Sequence, residues 1–301
     1  MFKRVGLFLL TNILVVATIS IAWSLISSFF NVGAYGNTTY ILIFSAVFGM
    51  SGAFISLLMS KFMAKHMMGV QIIAENVNDP TLRSLVSRVH ALARKAGLTK
   101  MPEVGIFESD DVNAFATGPS RNNSLVAVST GLLRRMDSSE VDGVLGHEVA
   151  HIANGDMVTM TLITGIVNTF AMFFSRIIAN VLASQVEEKN RGWVYMICVF
   201  IGDILFTILG SIVVNYYSRR REFRADTGGA KLSSKQNMIA ALQRLQSLTA
   251  IPAHETRDRD AFDTLKISSS GRPVGIAALF MTHPALEDRI AALEKSRQLY
   301  S

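Results

Sequence analysis

The long stretches without a charged residue constrain the fold of this chain more than any other feature. Residues 5–30 contain no Asp, Glu, Lys or Arg, and residues 40–60 contain none either. A helix of about 20 apolar residues crosses the roughly 30 Å hydrocarbon layer of a bilayer, so each stretch is long enough to span it. The first stretch exceeds the usual apolar core of a secretory signal, and we expect a retained anchor. The sequence therefore predicts an N-terminal transmembrane hairpin over residues 1–63.

Two further apolar stretches, residues 157–182 and 193–217, predict a second transmembrane hairpin over residues 157–217. Each of them carries a charge, Arg176 in the first and Asp203 in the second. The composition agrees with a membrane protein, since 50% of the 301 residues are hydrophobic and only 17% are charged. The chain is therefore expected to have four transmembrane helices and the lipid bilayer as a partner.

The net charge of +6 could suggest nucleic acid, but no nucleic-acid-binding module is recognisable and we expect no such partner. The basic residues instead flank the apolar stretches: Lys3, Arg4, Lys61, Lys65, Arg219, Arg220 and Arg221. The loop at residues 31–39 has none. By the positive-inside rule, both termini and the large polar segments, residues 64–156 and 218–301, face the cytoplasm. We expect these segments to form two halves of one cytoplasmic domain.

The residues His147-Glu148-Val149-Ala150-His151 carry the strongest chemical signal. Residues four apart lie on one face of a helix, so both imidazoles can bind one zinc ion with the glutamate beside it. Asp137 can cap this helix together with Glu140, and Asn154-Gly155 can end it. The alternative is an amphipathic helix with two solvated histidines, which the regular caps and apolar stripe disfavour. With Cys198 as the one cysteine, any metal must be held by His, Glu or Asp.

A zinc hydrolase needs a third protein ligand and an open fourth position. The metzincin spacing is absent, because Asn154 and Met157 occupy the positions of its Gly and His. Glu222 is the best candidate for this third ligand. It follows the fourth apolar stretch, just as His147 precedes the third, and these two stretches form one predicted hairpin. Asp226 lies one helical turn later and could accept a hydrogen bond from a ligating imidazole. The alternative for this segment is a basic membrane flank with incidental ion pairs.

The remaining periodicities predict an α+β domain with an active-site helix against a small sheet, completed by C-terminal helices. The expected elements are helices at 82–96, 237–248 and 284–299, strands at 103–107, 112–117 and 124–128, and a polar loop at 254–271.

With these features the chain resembles the HtpX-type membrane zinc proteases and, more distantly, the Ste24 CAAX-processing proteases. The resemblance covers nearly the whole chain and rests on the early apolar pair and four motifs: residues 113–118 (Asn-Ala-Phe-Ala-Thr-Gly), 147–151, 222–226 and 282–284 (Thr-His-Pro). It implies a zincin-like fold, one Zn²⁺ per chain and a bacterial inner membrane location. It also implies polypeptide substrates, in the quality control of misfolded or damaged membrane proteins under stress.

The resemblance assigns two further roles. Asn113, Ala114, Phe115 and Ala116 look like the family's edge strand, which holds an extended substrate by backbone pairing. A simple core strand is the alternative. His283 looks like the family's histidine near the active site that stabilises the tetrahedral intermediate, although a histidine before proline is also typical of a cap or turn.

The reaction expected from these residues is metal-assisted peptide hydrolysis. Zinc is held by His147, His151 and Glu222, and Glu148 accepts the proton of the attacking water. Two alternatives remain. One is an intramembrane, site-2-like protease that uses Asp203 as a ligand, and the other is a non-catalytic scaffold with a vestigial metal site. No residue pattern specifies a cleavage sequence or an oligomeric state.

Overall fold

The computed structural model describes residues 37–249 and 281–296, together with Ser28 and Leu279. Its helices are α1 (Asn37–His66), α2 (Pro80–Lys95), α3 (Thr130–Arg135), α4 (Ser138–Asn154), α5 (Asp156–Ser184), α6 (Glu188–Leu232), α7 (Lys235–Thr249) and α8 (Leu286–Lys295). Its strands are β1 (Gln71–Ile72), β2 (Glu103–Phe107), β3 (Ala114–Ser120) and β4 (Asn123–Ser129). These elements divide into two compact units, residues 37–57 with 159–214 and residues 58–158 with 215–249 and 281–296. The predicted polar loop at 254–271 lies outside the described residues.

Three helices in the described part of the chain are long and apolar enough to cross a membrane, where four were expected. They are Thr38–His66, Asp156–Ser184 and Glu188–Leu232. The first predicted span, residues 5–30, lies outside the described residues except for Ser28. Helices α5 and α6 are also longer than their apolar stretches, because helical hydrogen bonding continues into the polar residues that flank them.

The first unit contains the charged residues of the second predicted hairpin. Arg176 Nη1 lies 3.2 Å from Asp203 Oδ1, and Ser175 donates a hydrogen bond to the same carboxylate oxygen. The Arg176 guanidinium also lies 5.3 Å from the centre of the Phe44 ring. An unpaired charge in an apolar layer is costly, and pairing with an opposite charge lowers that cost. Within the described residues, Arg176 and Asp203 therefore form a charge pair between the two apolar stretches.

The second unit is built on a four-stranded sheet in the order β1-β2-β4-β3. Strands β2 and β4 are parallel, and the other two pairs are antiparallel. The three predicted strands are present, and β3 begins at Ala114 and continues to Ser120. The short strand β1 was not predicted, because its two exposed residues carry no alternating pattern.

Alternation along β4 gives the sheet two apolar faces. Val126 and Val128 belong to the main core with residues of α2, α4, α7 and α8. Leu125 and Ala127 point the other way and form a smaller cluster with Phe107, Phe115, and Ala64 near the end of α1. Successive side chains of a strand face opposite sides, so a strand that is buried throughout must be covered on both faces.

The end of α1 is also held to the sheet by ion pairs. Lys61 Nζ lies 2.8 Å from Glu103 Oε1 on β2 and donates to Asn123 Oδ1 on β4 at 2.8 Å. Lys65 Nζ lies 2.7 Å from the second oxygen of Glu103. Burial opposes ionisation of Glu103, but these two lysines outweigh it and lower the pKa of Glu103.

Helix α4 has the caps that the sequence predicted. The Asp137 side chain accepts from the backbone N–H of Glu140, and the Glu140 carboxylate accepts from the backbone N–H of Asp137, each at 2.9 Å. Gly155 ends the helix in the left-handed conformation, with φ of 69°. Both ends of the helix are therefore fixed by local hydrogen bonds and backbone geometry.

Two glycines of α4 allow close approach of the second chain segment. A Cβ on Gly143 would lie 2.4 Å from the backbone oxygen of Asn237 in α7, and one on Gly146 would lie 3.0 Å from that of Gly229 in α6. The backbones therefore nearly touch beside His147. The C-terminal helix α8 covers 286–295, with Ala285 as its N-cap residue; of the predicted range 284–299, residues 297–299 lie outside the described residues.

Candidate metal centre

Helix α4 presents two imidazoles to one point. His147 and His151 lie one helical turn apart, and their Nε2 atoms are separated by 3.1 Å. Their rings meet edge to face at 87°. His147 is buried at 2% exposure, so it is not a solvated histidine on a helix surface.

The third candidate ligand comes from the other half of the chain. Glu222 on α6 places Oε2 at 3.5 Å from His147 Nε2 and Oε1 at 3.4 Å from His151 Nε2. Ligand atoms of these three residues all lie within 4.8 Å of one another. Glu222 is 1% exposed, and its Oε1 has no hydrogen-bond partner among the described residues.

The outer nitrogen of each imidazole is bound by an aspartate. His147 Nδ1 lies 2.9 Å from Asp226 Oδ1, and His151 Nδ1 lies 2.7 Å from Asp156 Oδ2. An ionised carboxylate can only accept, so each Nδ1 must carry the proton of its ring. The Nε2 lone pairs of the neutral rings then face each other and the Glu222 carboxylate.

This donor set fits a zinc ion. With zinc–nitrogen bonds of about 2.0–2.1 Å and tetrahedral angles, two coordinating nitrogens lie roughly 3.3–3.4 Å apart. The nitrogen–nitrogen separation is 3.1 Å, and the nitrogen–oxygen separations are 3.4 and 3.5 Å. Three acceptors that face one another at such distances repel unless a cation lies between them. The residues could therefore hold a metal while leaving a fourth position open.

The electrostatics of the cluster also favour positive charge at this point. Burial opposes protonation of His147, but hydrogen bonds to Asp226 and Glu222 outweigh it and raise the pKa of His147 to about 9. Burial likewise opposes protonation of His151, and hydrogen bonds to Asp156 and Glu222 outweigh it and raise its pKa. A divalent cation satisfies the same carboxylates with the imidazoles neutral.

A buried arginine binds the aspartate that contacts His147. Arg289 on α8 is 0% exposed. It donates to both oxygens of Asp226, from Nε at 2.8 Å and from Nη2 at 2.6 Å, and its Nη1 lies 3.7 Å from Glu222 Oε2. Burial opposes its charge, but Asp226 outweighs burial and raises the pKa of Arg289 above the ordinary arginine value. A fork of this kind fixes the plane of the Asp226 carboxylate.

Two candidate catalytic side chains remain to be placed. Glu148 follows His147 on α4 and is buried at 5% exposure. His283 Nδ1 lies 3.1 Å from Glu222 Oε2, although neither ring nitrogen makes a hydrogen bond within the described residues. His283 therefore lies next to the candidate ligand Glu222.

The candidate substrate strand forms one edge of the sheet. Ala114, Phe115 and Ala116 pair with Val128, Ala127 and Val126 of β4, and the described residues place no strand on the other side of β3. Asn113 precedes the strand, and its buried Oδ1 has no hydrogen-bond partner among the described residues. Ala114 and Phe115 of this strand are buried in the domain.

Sequence reasoning missed three residues of this site, Asp156, Arg224 and Arg289. Asp156 follows the C-cap Gly155 and could have been noticed as a carboxylate five residues after His151. No local signal marks Arg289, which reaches Asp226 across 63 positions of sequence. Asp203, the ligand of the intramembrane alternative, belongs to the other unit and contacts Ser175 and Arg176 there.

Comparison with known proteins agrees with this geometry. Residues 79–297 match Peptidase family M48. The chain is 53% identical to the Protease HtpX homolog of Bacillus licheniformis, over 98% of this chain and 99% of that protein. It is 48% identical to Protease HtpX of Aeromonas hydrophila, over 97% and 99% respectively. The crystal structure of S. mikatae Ste24p has a similar fold, with a TM-score of 0.61 at 17% identity, over 98% of this chain and 67% of that one. The chain therefore belongs to peptidase family M48.

Proposed function

We propose that this membrane-bound metalloprotease holds zinc through His147, His151 and Glu222 and hydrolyses polypeptides at the cytoplasmic face of a bacterial inner membrane. The observation that carries the proposal is the convergence of two imidazoles and a carboxylate, with each outer Nδ1 atom bound by an aspartate. This arrangement leaves only the inner nitrogens for a metal. The identity of the metal as zinc is supported by the nitrogen and carboxylate ligands and their spacing.

The reaction follows from the chemistry of the surrounding residues. Zinc, when bound, supplies the Lewis acidity that lowers the pKa of water toward about 7. Glu148 takes the proton of the attacking water on its carboxylate and later gives it to the leaving amine. His283 donates a hydrogen bond to the oxyanion that forms on the scissile carbonyl. Asp226 holds the imidazole of His147 in the tautomer whose Nε2 atom faces inward.

Substrate binding is assigned to β3. An extended peptide adds through backbone hydrogen bonds to the edge of residues 113–116 that pairs with no strand among the described residues. Backbone pairing does not depend on side chains, so it agrees with broad specificity. Misfolded or damaged membrane proteins expose extended segments of this kind, and we propose them as the substrates, in a quality-control role.

The topology is part of the proposal. The basic residues that flank the apolar stretches support cytoplasmic termini and a cytoplasmic protease unit. The units expected from the sequence, residues 1–63, 64–156, 157–217 and 218–301, remain the proposed domain organisation. Residues 64–156 supply the histidines and residues 218–301 supply Glu222.

The test is cleavage of an unstructured reporter protein by the detergent-purified full-length chain and by Glu148→Gln. The amide cannot accept the proton of water, so we expect a loss of roughly 10²- to 10⁴-fold in cleavage rate. Zinc content, measured by atomic emission, should stay near one per chain in both proteins. Glu140→Gln is the matched control, because it makes the same change on the same helix at a capping residue. It should keep both the zinc content and the cleavage rate of the wild type.

Two results would contradict the proposal. Cleavage by Glu148→Gln at the wild-type rate would remove Glu148 from its role. If the wild-type chain neither holds zinc nor cuts the reporter protein after zinc is added back, the scaffold interpretation is favoured.

A further inference from the structure

We infer that Asp156, held in place by Arg224, is a positioning residue that turns His151 toward the metal. The inference rests on the zinc site proposed above. It extends the set of residues on which metal binding depends to a carboxylate at the start of α5 and an arginine two positions after the third ligand.

The contacts of Asp156 divide between its two oxygens. Oδ2 lies 2.7 Å from His151 Nδ1, and Oδ1 accepts a charge-assisted hydrogen bond from Arg224 Nη2. The carboxylate itself is 1% exposed. A buried carboxylate needs partners for both oxygens, and here one partner is the imidazole and the other is the guanidinium. The carboxylate is therefore fixed in orientation at the point where it binds the ring.

Local backbone geometry brings Asp156 back to His151. Gly155 adopts φ of 69° and ends α4, so the chain turns sharply before α5 begins at Asp156. Glycine adopts the left-handed conformation at little cost, whereas a residue with a Cβ is strained there. The first turn of a helix also favours negative charge, because its free N–H groups point toward it. The turn thus places an ionised carboxylate beside the second histidine.

Arg224 connects this carboxylate to the third ligand. It lies on α6 two residues after Glu222, so the ion pair joins the helix of the carboxylate ligand to the junction that follows the histidine helix. The orientation of His151 and the position of Glu222 are therefore set together. Zinc–ligand geometry tolerates little displacement, so this coupling bears directly on metal affinity.

The two histidines are supported in parallel but in different surroundings. His147 is bound by Asp226, which the fully buried Arg289 holds. His151 is bound by Asp156, whose arginine has a side chain 56% exposed. Exposed ion pairs are weakened by water and salt. Changes at Arg224 should therefore have smaller effects than changes at Asp156, and the protein should still fold.

A purely structural role for Asp156 makes a different prediction. An acidic residue in the first turn of a helix stabilises that helix whether or not it touches a histidine. In that case its replacement would lower thermal stability and leave the zinc affinity of the folded protein unchanged. Zinc affinity therefore distinguishes the two roles.

The experiment measures zinc affinity of the detergent-purified full-length protein by competition with a chromophoric chelator. The variants are Asp156→Ala, Asp156→Asn, Arg224→Gln and the double variant Asp156→Asn/Arg224→Gln. Loss of a supporting hydrogen bond should weaken zinc binding of Asp156→Ala roughly 10- to 100-fold. Asp156→Asn keeps an acceptor oxygen and should recover most of that loss. Arg224→Gln should weaken zinc binding less than Asp156→Ala does. The double variant should bind zinc as tightly as the weaker binder of its two single variants, because Arg224 acts through Asp156.

Arg220→Gln is the matched control. Arg220 lies one turn earlier on the same helix, with its guanidinium carbon 5.6 Å from the centre of the Tyr216 ring, and its replacement should leave zinc affinity unchanged.

Glu222→Ala, which removes a proposed ligand, separates the zinc-site hypothesis from the hypothesis that Asp156 is a positioning residue. If it loses zinc while both Asp156 variants bind zinc as tightly as wild type, the positioning role is overturned and the zinc site stands. If the wild-type protein binds no zinc, the zinc site and the positioning role are both overturned. If Asp156→Ala does not fold, a zinc affinity of Arg224→Gln equal to that of Arg220→Gln overturns the positioning role.

Discussion

At the scale of single residues, the candidate centre depends as much on the groups behind the histidines as on the histidines themselves. Asp226 and Asp156 bind the outer nitrogens, and Arg289 binds Asp226 through two hydrogen bonds. Each of these charges is buried or bound to a buried partner. Removing one member therefore leaves an uncompensated charge beside the metal.

The choice of third ligand predicts a difference between two acidic residues. Glu222→Ala removes a carboxylate that faces both imidazoles and should abolish stoichiometric zinc binding. Asp203→Ala removes a carboxylate that contacts Arg176 and Ser175 and should retain one zinc per chain. Zinc content of the two purified variants is the measurement. Zinc lost from Asp203→Ala and retained by Glu222→Ala would support the intramembrane alternative.

Removal of Arg289 predicts a loss of stability. Arg289→Met leaves Asp226 buried without its counter-ion, and breaking a buried pair in this way costs about 3–5 kcal/mol. Thermal unfolding of the purified protein should shift to lower temperature. Arg289→Lys should not restore the wild-type value, because an ammonium cannot form the two-pronged contact with both oxygens. Wild-type stability in Arg289→Met would contradict the role given to this ion pair.

At the scale of secondary-structure elements, the position of α4 depends on close contacts with α6 and α7. Gly143 and Gly146 face the backbones of Asn237 and Gly229, and both glycines lie within one turn of His147. The second chain segment can approach only because these positions have no Cβ. The small residues thus bring the helix of Glu222 next to the helix of the histidines.

Gly143→Ala should therefore destabilise the protease unit. The added Cβ would lie 2.4 Å from a backbone oxygen, and overpacking of this kind costs about 1–3 kcal/mol. Chemical denaturation followed by far-ultraviolet circular dichroism measures the change. Gly192→Ala is the control, since its Cβ would meet no atom within 4 Å and alanine is the better helix former. If Gly143→Ala and the wild type were equally stable, α7 could move away from α4 without a loss of stability.

At the scale of the whole molecule, the protease unit is assembled from residues 58–158 and from described residues that begin at 215. The first segment supplies both histidines and the second supplies Glu222. A metal bound by all three links the two segments directly. Metal binding should therefore contribute to the stability of the folded unit, as any ligand of the native state does.

Removal of the metal should lower the unfolding temperature of the full-length protein in detergent. With free zinc at about 1,000 times its dissociation constant, the bound metal contributes about 4 kcal/mol to stability. Differential scanning fluorimetry with and without a chelator measures the shift, and restored zinc should reverse it. The same chelator should leave the unfolding temperature of Glu222→Ala unchanged. A shift of equal size in that variant would mean that the chelator acts elsewhere.

Several features could be predicted because they are local in sequence. The spans of α1, α5 and α6 follow from runs of apolar residues, and α4 follows from its periodicity, the Asp137 cap and Gly155. The proximity of His147 and His151 follows from helical spacing. Glu222 could be proposed because it follows an apolar helix that returns the chain, and family resemblance added His283 and the strand at β3.

Only the tertiary structure revealed the contacts between distant segments. Arg289 joins Asp226 across 63 positions, and Arg224 joins Asp156 across 68. Lys61 joins Glu103 across 42 positions, which makes the end of an apolar helix part of the protease unit. Periodicity and caps report only interactions within a few residues, whereas these pairs depend on how helices and strands pack. The ligands of the candidate centre could therefore be proposed from the sequence, but the charges that orient them were set by packing.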